Sequence, residues 1–222
     1  MICRLLEELE SRESWVLSVI GAGGSGKTSK SYWVLDNWFP DDRIFAYAFR
    51  QDVIDSLPER ISSRMESFSS FDQIAGRPGI IFLDDIAIHF LSRNSNASAS
   101  KDMVATMTIA RHNGHRFIIT TQNSILSDKG LMESLDNFSL RTRMTEIQML
   151  TEREEYQDLQ RQVNRMIDTY SELTGKSNKG FAYCSETDEL LRFPDWKDMT
   201  SEISRPYQGG YVRDGKLCFG GS

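Results

Sequence analysis

The stretch WVLSVIGAGGSGKTSKSYWVL constrains what this chain can fold into more than any other part of it. An apolar, strand-like segment (15–20) runs into GAGGSGKT, and a helical pattern (27–39) begins at once. Gly21, Ala22, Gly23, Gly24, Ser25, Gly26, Lys27 and Thr28 spell G-x-x-x-x-G-K-[ST] in full. A glycine-rich turn lets backbone N–H groups point inward as an anion nest, and glycines admit the close approach of phosphate oxygens. The following helix adds the positive end of its dipole. Lys27 is spaced to reach the β- and γ-phosphates, and the Thr28 hydroxyl to ligate Mg²⁺. Ser29 extends the phosphate-contacting set. A nucleoside triphosphate with Mg²⁺ is the ligand this pattern predicts.

Apolar runs and helical patterns alternate up to about residue 145, which predicts an α/β fold. The spacing predicts a short helix over 2–10, strands at 15–20, 43–49, 79–85, 116–122 and 138–144, and helices at 27–39 and 102–112. Short helical pieces are predicted within 50–76, before Gly76 and Pro78 interrupt. GIIFLDD (79–85) is apolar throughout its strand, as in central strands covered on both faces, which implies a mostly parallel sheet flanked by helices. From Thr151 a single long helix is predicted, opened by Thr151 with Glu154 three residues on and closed by Gly175. FAYCSETDELLRFPDW then reads as a β-hairpin with a polar turn, and the glycine-bearing tail as a loosely held end. The expected organisation is a core over 1–145 and a C-terminal helix and hairpin over 146–222 packed on the same domain.

Composition narrows the class. The 222 residues are 39% hydrophobic and 26% charged, as in ordinary globular proteins. The longest apolar runs are strand-sized, far short of the roughly 20 residues of a membrane-spanning helix, so no membrane span is expected. The N-terminal MICRLLEELESRES has neither the apolar core nor the cleavage site of a signal peptide. Cys3, Cys184 and Cys218 are far apart and odd in number, which predicts no disulfide framework or zinc site and a reducing, cytoplasm-like compartment. A net charge of −6 excludes a chain that is basic all over and leaves nucleic-acid binding to a local patch or a ring of loops.

Two further strand ends carry chemistry. IIFLDD ends in acid, which puts carboxylates at the carboxyl edge of the sheet, where ligands sit in such folds. Asp84 is assigned to the Mg²⁺ side and Asp85 to polarising an attacking water. Asp85 stands where hydrolases usually carry Glu. RFIITTQN ends in Thr120, Thr121, Gln122 and Asn123, and the Gln122 amide is placed to bond the γ-phosphate or the lytic water.

The segment IARHNGHRFIITTQ joins a helix ending in Arg-His, a glycine turn, a strand and Thr-Gln. With the two earlier motifs it resembles the FtsK–HerA superfamily of DNA-pumping ATPases, P-loop NTPases of the RecA/ASCE-like type. The closest similarity is to genome-packaging ATPases of membrane-containing icosahedral viruses and the poxvirus packaging ATPase; Zot-like assembly ATPases of filamentous phages share the pattern. The resemblance covers about residues 15–145. It implies a ring, commonly a hexamer, with ATP bound between subunits, double-stranded DNA in the channel and a capsid or portal-vertex protein as partner. The implied location is the host-cell cytoplasm, with association with the virion. Residues 21–28 carry over as Walker A, Asp84 and Asp85 as Walker B, and Gln122 as the sensor. A trans-acting arginine is implied, with Arg111, Arg116, Arg141 and Arg143 as candidates; Arg141 and Arg143 alternate on one predicted strand and so share a face.

The Ser/Asn-rich loop 89–101 follows Walker B, and its Arg93 and Lys101 are candidates for DNA phosphate contacts. His89, His112 and His115 lie around a turn without matching carboxylates and are not assigned to a metal. Trp33 and Trp38 are assigned to packing the first core helix. Alternatives stay open: a Zot-like assembly ATPase, whose relatives typically carry a membrane span and outer domain after the ATPase; a small-molecule P-loop kinase; and a nucleotide-gated scaffold with little turnover. The Asp84–Asp85 pair and Gln122 favour hydrolysis over a kinase.

Overall fold

The computed structural model describes residues 3–85, 113–122, 137–204, 206–207, 210–213 and 216–219. Eight strands form one sheet in the order β3-β2-β4-β5-β1-β6-β7-β8. They are β1 (Val16–Ile20), β2 (Ile44–Tyr47), β3 (Met65–Phe68), β4 (Gly79–Leu83), β5 (His115–Thr121), β6 (Asn137–Arg141), β7 (Phe181–Cys184) and β8 (Glu189–Arg192). Every pairing from β3 across to β6 is parallel. The β7–β8 hairpin extends the sheet antiparallel to β6. Val16–Ile20 and Gly79–Leu83 are buried along their whole length, as strands covered on both faces must be. A separate antiparallel pair, β9 (Gly210–Arg213) and β10 (Lys216–Phe219), follows.

The described α-helices are α1 (Arg4–Glu10), α2 (Lys27–Asn37), α3 (Gln51–Asp55), α4 (Glu59–Ser62), α5 (Glu146–Leu150) and α6 (Glu154–Thr174). The larger core cluster joins Leu5 and Leu9 of α1, Tyr32, Val34 and Leu35 of α2, and sheet residues Leu17, Ile80 and Ile118. Val16, Phe45, Ile81, Phe117 and Ile119 form the core on the other face. Trp33 and Trp38 pack edge to face and both meet Phe193, the structural role read for them.

Three elements differ from the sequence pattern. Residues 65–68, read as part of helical pieces, form the edge strand β3, where Met65 and Phe68 are buried and Glu66 and Ser67 exposed. Four residues with buried ends and polar middles carry no period-2 signature, so only pairing with β2 defines the strand. The long helix starts at Glu154 rather than Thr151. Thr151 instead closes α5, its hydroxyl donating to Gln148 O at 2.9 Å. The capping box lies earlier, at Thr145 and Gln148. Gly175 ends α6 in the left-handed conformation (φ 63°), as read. Finally, β6 stops at Arg141, so Arg143 lies beyond the strand and shares no strand face with Arg141.

The helix predicted at 102–112 and the loop at 89–101 lie outside the described residues. No described helix is long and apolar enough to cross a membrane. Cys3 and Cys184 are free thiols, and burial pushes the Cys184 thiol up to about 11.

Candidate functional site

The strand order brings three carboxyl ends together, since β4, β5 and β1 are neighbours. β1 delivers the glycine loop, β4 the acid pair and β5 the Thr-Gln tip. Register sets their heights: Ile20 pairs with Thr121, and Leu83 with Ile119. The loop is tied to its neighbours by Gly21 N donating to Thr121 O at 3.1 Å and Ala22 N to Arg143 O at 3.4 Å. Gly24 and Gly26 adopt positive φ (74° and 82°), and Gly26 leads directly into α2. Gly21 must lack a side chain, because a Cβ there would lie 1.7 Å from Thr142 Oγ1.

Lys27 lies across the loop, its Nζ donating to Gly21 O and Ala22 O, both at 2.9 Å. Burial pulls its pKa down, against the pull of Asp85 and Asp84 upward. The Thr28 hydroxyl lies 3.1 and 3.2 Å from the two Asp84 carboxylate oxygens, 56 positions away in sequence. Thr120 Oγ1 donates to Asp84 Oδ1 at 2.7 Å. Asp84 is 3% exposed, and burial raises its pKa to about 6 despite the bonds from Thr120 and Thr28; Asp85 adds to the rise. A hydroxyl and a buried carboxylate converging on one point are hard oxygen donors suited to a dication such as Mg²⁺. Asp85 is also raised by burial, opposed by Lys27 and by a hydrogen bond with the Gln122 side chain. The acid pair and the strand tip named from the sequence are thus in direct contact. A cavity of about 330 Å³ opens among Gly24, Lys27, Thr28, Asp85 and Gln122.

Sequence reasoning missed the opposite wall of that cavity: Ser204, Pro206 and Tyr207. Nothing local in TSEISRPY marks it. It also missed Lys30, buried under the loop, whose Nζ donates to Ser25 O at 3.0 Å and to Lys179 O. Burial lowers Lys30 to about 8. Thr142 was missed too; its hydroxyl bonds Ile20 O and Ser25 Oγ. A second lysine three residues after Lys27 was the one visible signal among these. Ser29, placed in the phosphate set, accepts from Trp196 N at 3.3 Å.

The arginine candidates separate clearly. Arg141 does not face outward as a finger for a neighbour would. It is 1% exposed, with its guanidinium over the Tyr156 ring, 3.4 Å from Gln160 Oε1 and 3.8 Å from the buried Glu152 carboxylate. Arg116 sits at the start of β5, at the strand's far end from the site, paired with Asp42. Arg143 is half-exposed beside the glycine loop and pairs with Asp168 at 2.8 Å. Arg93, Lys101, Arg111, His89, His112 and Asn123 lie outside the described residues. His115 is buried at the amino end of β5, with Nε2 between Ile74 O and Arg77 O.

A glycine loop between a strand and a helix, with an acid-ended strand one place removed in a parallel sheet, defines a P-loop NTPase. The family described as zonular occludens toxin (Zot) matches residues 16–134, more than half of the chain, and the protein belongs to that family. This bears out the resemblance to P-loop ATPases of the FtsK–HerA kind read from the three motifs. Among solved structures, the ATPase 2 and 3 region of Thermomonospora curvata EccC is 8% identical with a TM-score of 0.52, over 86% of this chain and 40% of that one. That likeness carries the fold. The DNA-packaging ATPase of Sulfolobus turreted icosahedral virus is 12% identical, TM-score 0.45, over 81% of this chain and 96% of that one. The N-terminal domain of zonular occludens toxin from Neisseria meningitidis is 21% identical, TM-score 0.39, over 58% and 76%. No curated protein matches the sequence.

Proposed function

We propose that this protein hydrolyses ATP and uses the energy to translocate double-stranded DNA during viral genome packaging. The observation that carries hydrolysis is the contact chain Thr28–Asp84–Thr120 beside Asp85–Gln122, all opening on one cavity with Lys27. Two carboxylates on successive residues allow a division of roles. Buried Asp84, with Thr28, holds the cation; Asp85, in the cavity wall, takes the proton of the attacking water. Water attacks the γ-phosphorus in line, the bond to the β-phosphate oxygen breaks, and ADP and phosphate leave. Residues 21–29 hold the phosphates, and Lys27 neutralises charge developing on the γ-oxygens. Mg²⁺ bound with the triphosphate supplies further neutralisation of that charge. Gln122 orients the water or reports the loss of the γ-phosphate.

Residues 1–145 are the proposed ATPase core and 146–222 its extension. The working form is a homo-oligomeric ring, with a hexamer as the proposed count. Arg93 and Lys101 meet DNA phosphates, a capsid or portal-vertex protein is the docking partner, and the host cytoplasm is the place of action. The Zot family match favours a second reading, an assembly ATPase for a filamentous phage built on the same site.

ATPase rate with and without duplex DNA, for wild type and Asp85→Asn, is the test. The packaging motor predicts stimulation by duplex DNA of any sequence and loss of turnover in Asp85→Asn. Turnover indifferent to duplex DNA sinks the packaging reading and leaves the assembly reading standing. Consumption of ATP that requires a small phosphoryl acceptor identifies a kinase. Tight ATP binding with negligible turnover, DNA present, identifies a scaffold.

A further inference from the structure

The peptide bond joining Asp84 to Asp85 is gripped at both ends. Its N–H donates to Thr120 Oγ1 at 2.7 Å, and its carbonyl accepts from the Tyr207 hydroxyl at 3.1 Å. Thr120 bonds the Asp84 side chain as well, so β5 supplies one jaw of the clamp. Tyr207 supplies the other from 123 positions away. The clamp bears on an unusual backbone. Asp85 has φ 43°, a left-handed conformation that residues with a side chain rarely adopt. The orientation of this one peptide sets the direction in which the Asp85 side chain leaves the chain. Release of either end lets Asp85 relax toward ordinary dihedrals and swings its carboxylate away from Gln122.

Tyr207 is itself well held. Its ring packs edge-on against Phe49, with centroids 5.6 Å apart at 90°, and its hydroxyl is also 3.3 Å from Tyr47 O at the end of β2. The hydroxyl is the donor in both contacts, since a carbonyl oxygen only accepts. Of the two carbonyls that share its proton, Asp84 O is the nearer. Ser204 and Pro206 line the same cavity as Tyr207.

We infer that Tyr207 is a positioning residue for hydrolysis, its hydroxyl holding the Asp84–Asp85 peptide so that the Asp85 carboxylate stays aimed at the attacking water. This rests on the hydrolytic reading above. Tyr207→Phe keeps the ring against Phe49 and removes only the donor. Turnover, KM, affinity for a non-hydrolysable ATP analogue and melting temperature are measured for wild type, Tyr207→Phe, Asp85→Asn and the double variant. The expected result is a fall in kcat of about tenfold for Tyr207→Phe, the loss of one aligning hydrogen bond, with KM and analogue affinity unchanged. The double variant is no slower than Asp85→Asn, since the hydroxyl acts through that carboxylate. Unchanged kcat overturns the inference. So does a loss of turnover matched by losses of affinity and melting temperature, or additive losses in the double variant. A wild type with no ATPase activity overturns the hydrolytic reading and the inference together; an active wild type with an unaffected Tyr207→Phe overturns the inference alone.

Discussion

Asp84 is a charged group held against the cost of its own burial. Its carboxylate is buried, and its two hydroxyl donors do not offset the loss of water, so its pKa stands at about 6 rather than the ordinary 3.8. That difference corresponds to about 3 kcal/mol disfavouring the charged form in the fold. A group whose folded pKa is raised contributes stability fully present below the unfolded value and lost as pH rises through the folded one. Without nucleotide and cation, the contribution of Asp84 therefore falls between roughly pH 4 and pH 6 and is gone at neutrality. Asp84→Asn keeps one acceptor oxygen, at the Oδ1 position that both Thr28 and Thr120 reach, and removes the charge. We expect it to raise the melting temperature of the nucleotide-free protein at pH 7, by the equivalent of about 2 kcal/mol, and to flatten stability over that window. Thermal melts across pH check this; a variant less stable than wild type at pH 7 sinks it. The same substitution removes the proposed cation ligand, so stability and turnover move in opposite directions, as at sites that trade stability for function.

At the scale of elements, some contacts were legible in the sequence and others were not, and the division has a physical basis. Strand β1, its glycine loop and α2 are contiguous, so chain order alone sets their geometry. The tips of β4 and β5 were legible because central strands read as apolar runs, and these two end in polar residues, Asp84 in one and Thr120, Thr121 and Gln122 in the other. Bonds closed over long sequence separations leave no local pattern. Lys30 with Lys179 O, Ser29 with Trp196 N and Tyr207 with Asp84 O are of this kind. Helix α1 is another case. Cys3 at its N-cap makes no side-chain cap, and the amides of Arg4 and Leu5, which have no partner within the helix, are instead met by the Glu189 carboxylate at 2.9 and 2.8 Å. An anion at a helix start satisfies orphan N–H groups and the dipole together. Glu189→Ala is therefore expected to cost about 0.5–2 kcal/mol, the range for a lost N-cap, read as a shift in the urea midpoint. An unchanged midpoint would show that α1 is held by Leu5 and Leu9 alone.

At the scale of the whole molecule the open matter is whether one chain completes its own site. Of the described candidates for a trans arginine, Arg141 is buried among Glu152, Gln160 and Tyr156, Arg116 is tied to Asp42 at the far end of β5, and Arg143, half-exposed and paired with Asp168, is the one we propose. Arg143 also sits on the segment whose carbonyl bonds the glycine loop, so its position responds to that loop. If Arg143 serves a neighbour, the ring is a condition of turnover rather than a container for it. Mixing separates the cases. Arg143→Ala and Lys27→Ala are each expected to lose activity by orders of magnitude, since a finger arginine is worth about 10³–10⁵ in rate. In an equal mixture, a Lys27→Ala subunit lends its intact arginine to the intact loop of an Arg143→Ala subunit. Random assembly gives about a quarter of the interfaces both parts, and activity returns to about that fraction of wild type. An arginine acting within its own chain gives no recovery at any ratio, because every chain then lacks either the lysine or the arginine. Recovery that disappears on dilution, in step with particle size, ties the completed site to the ring.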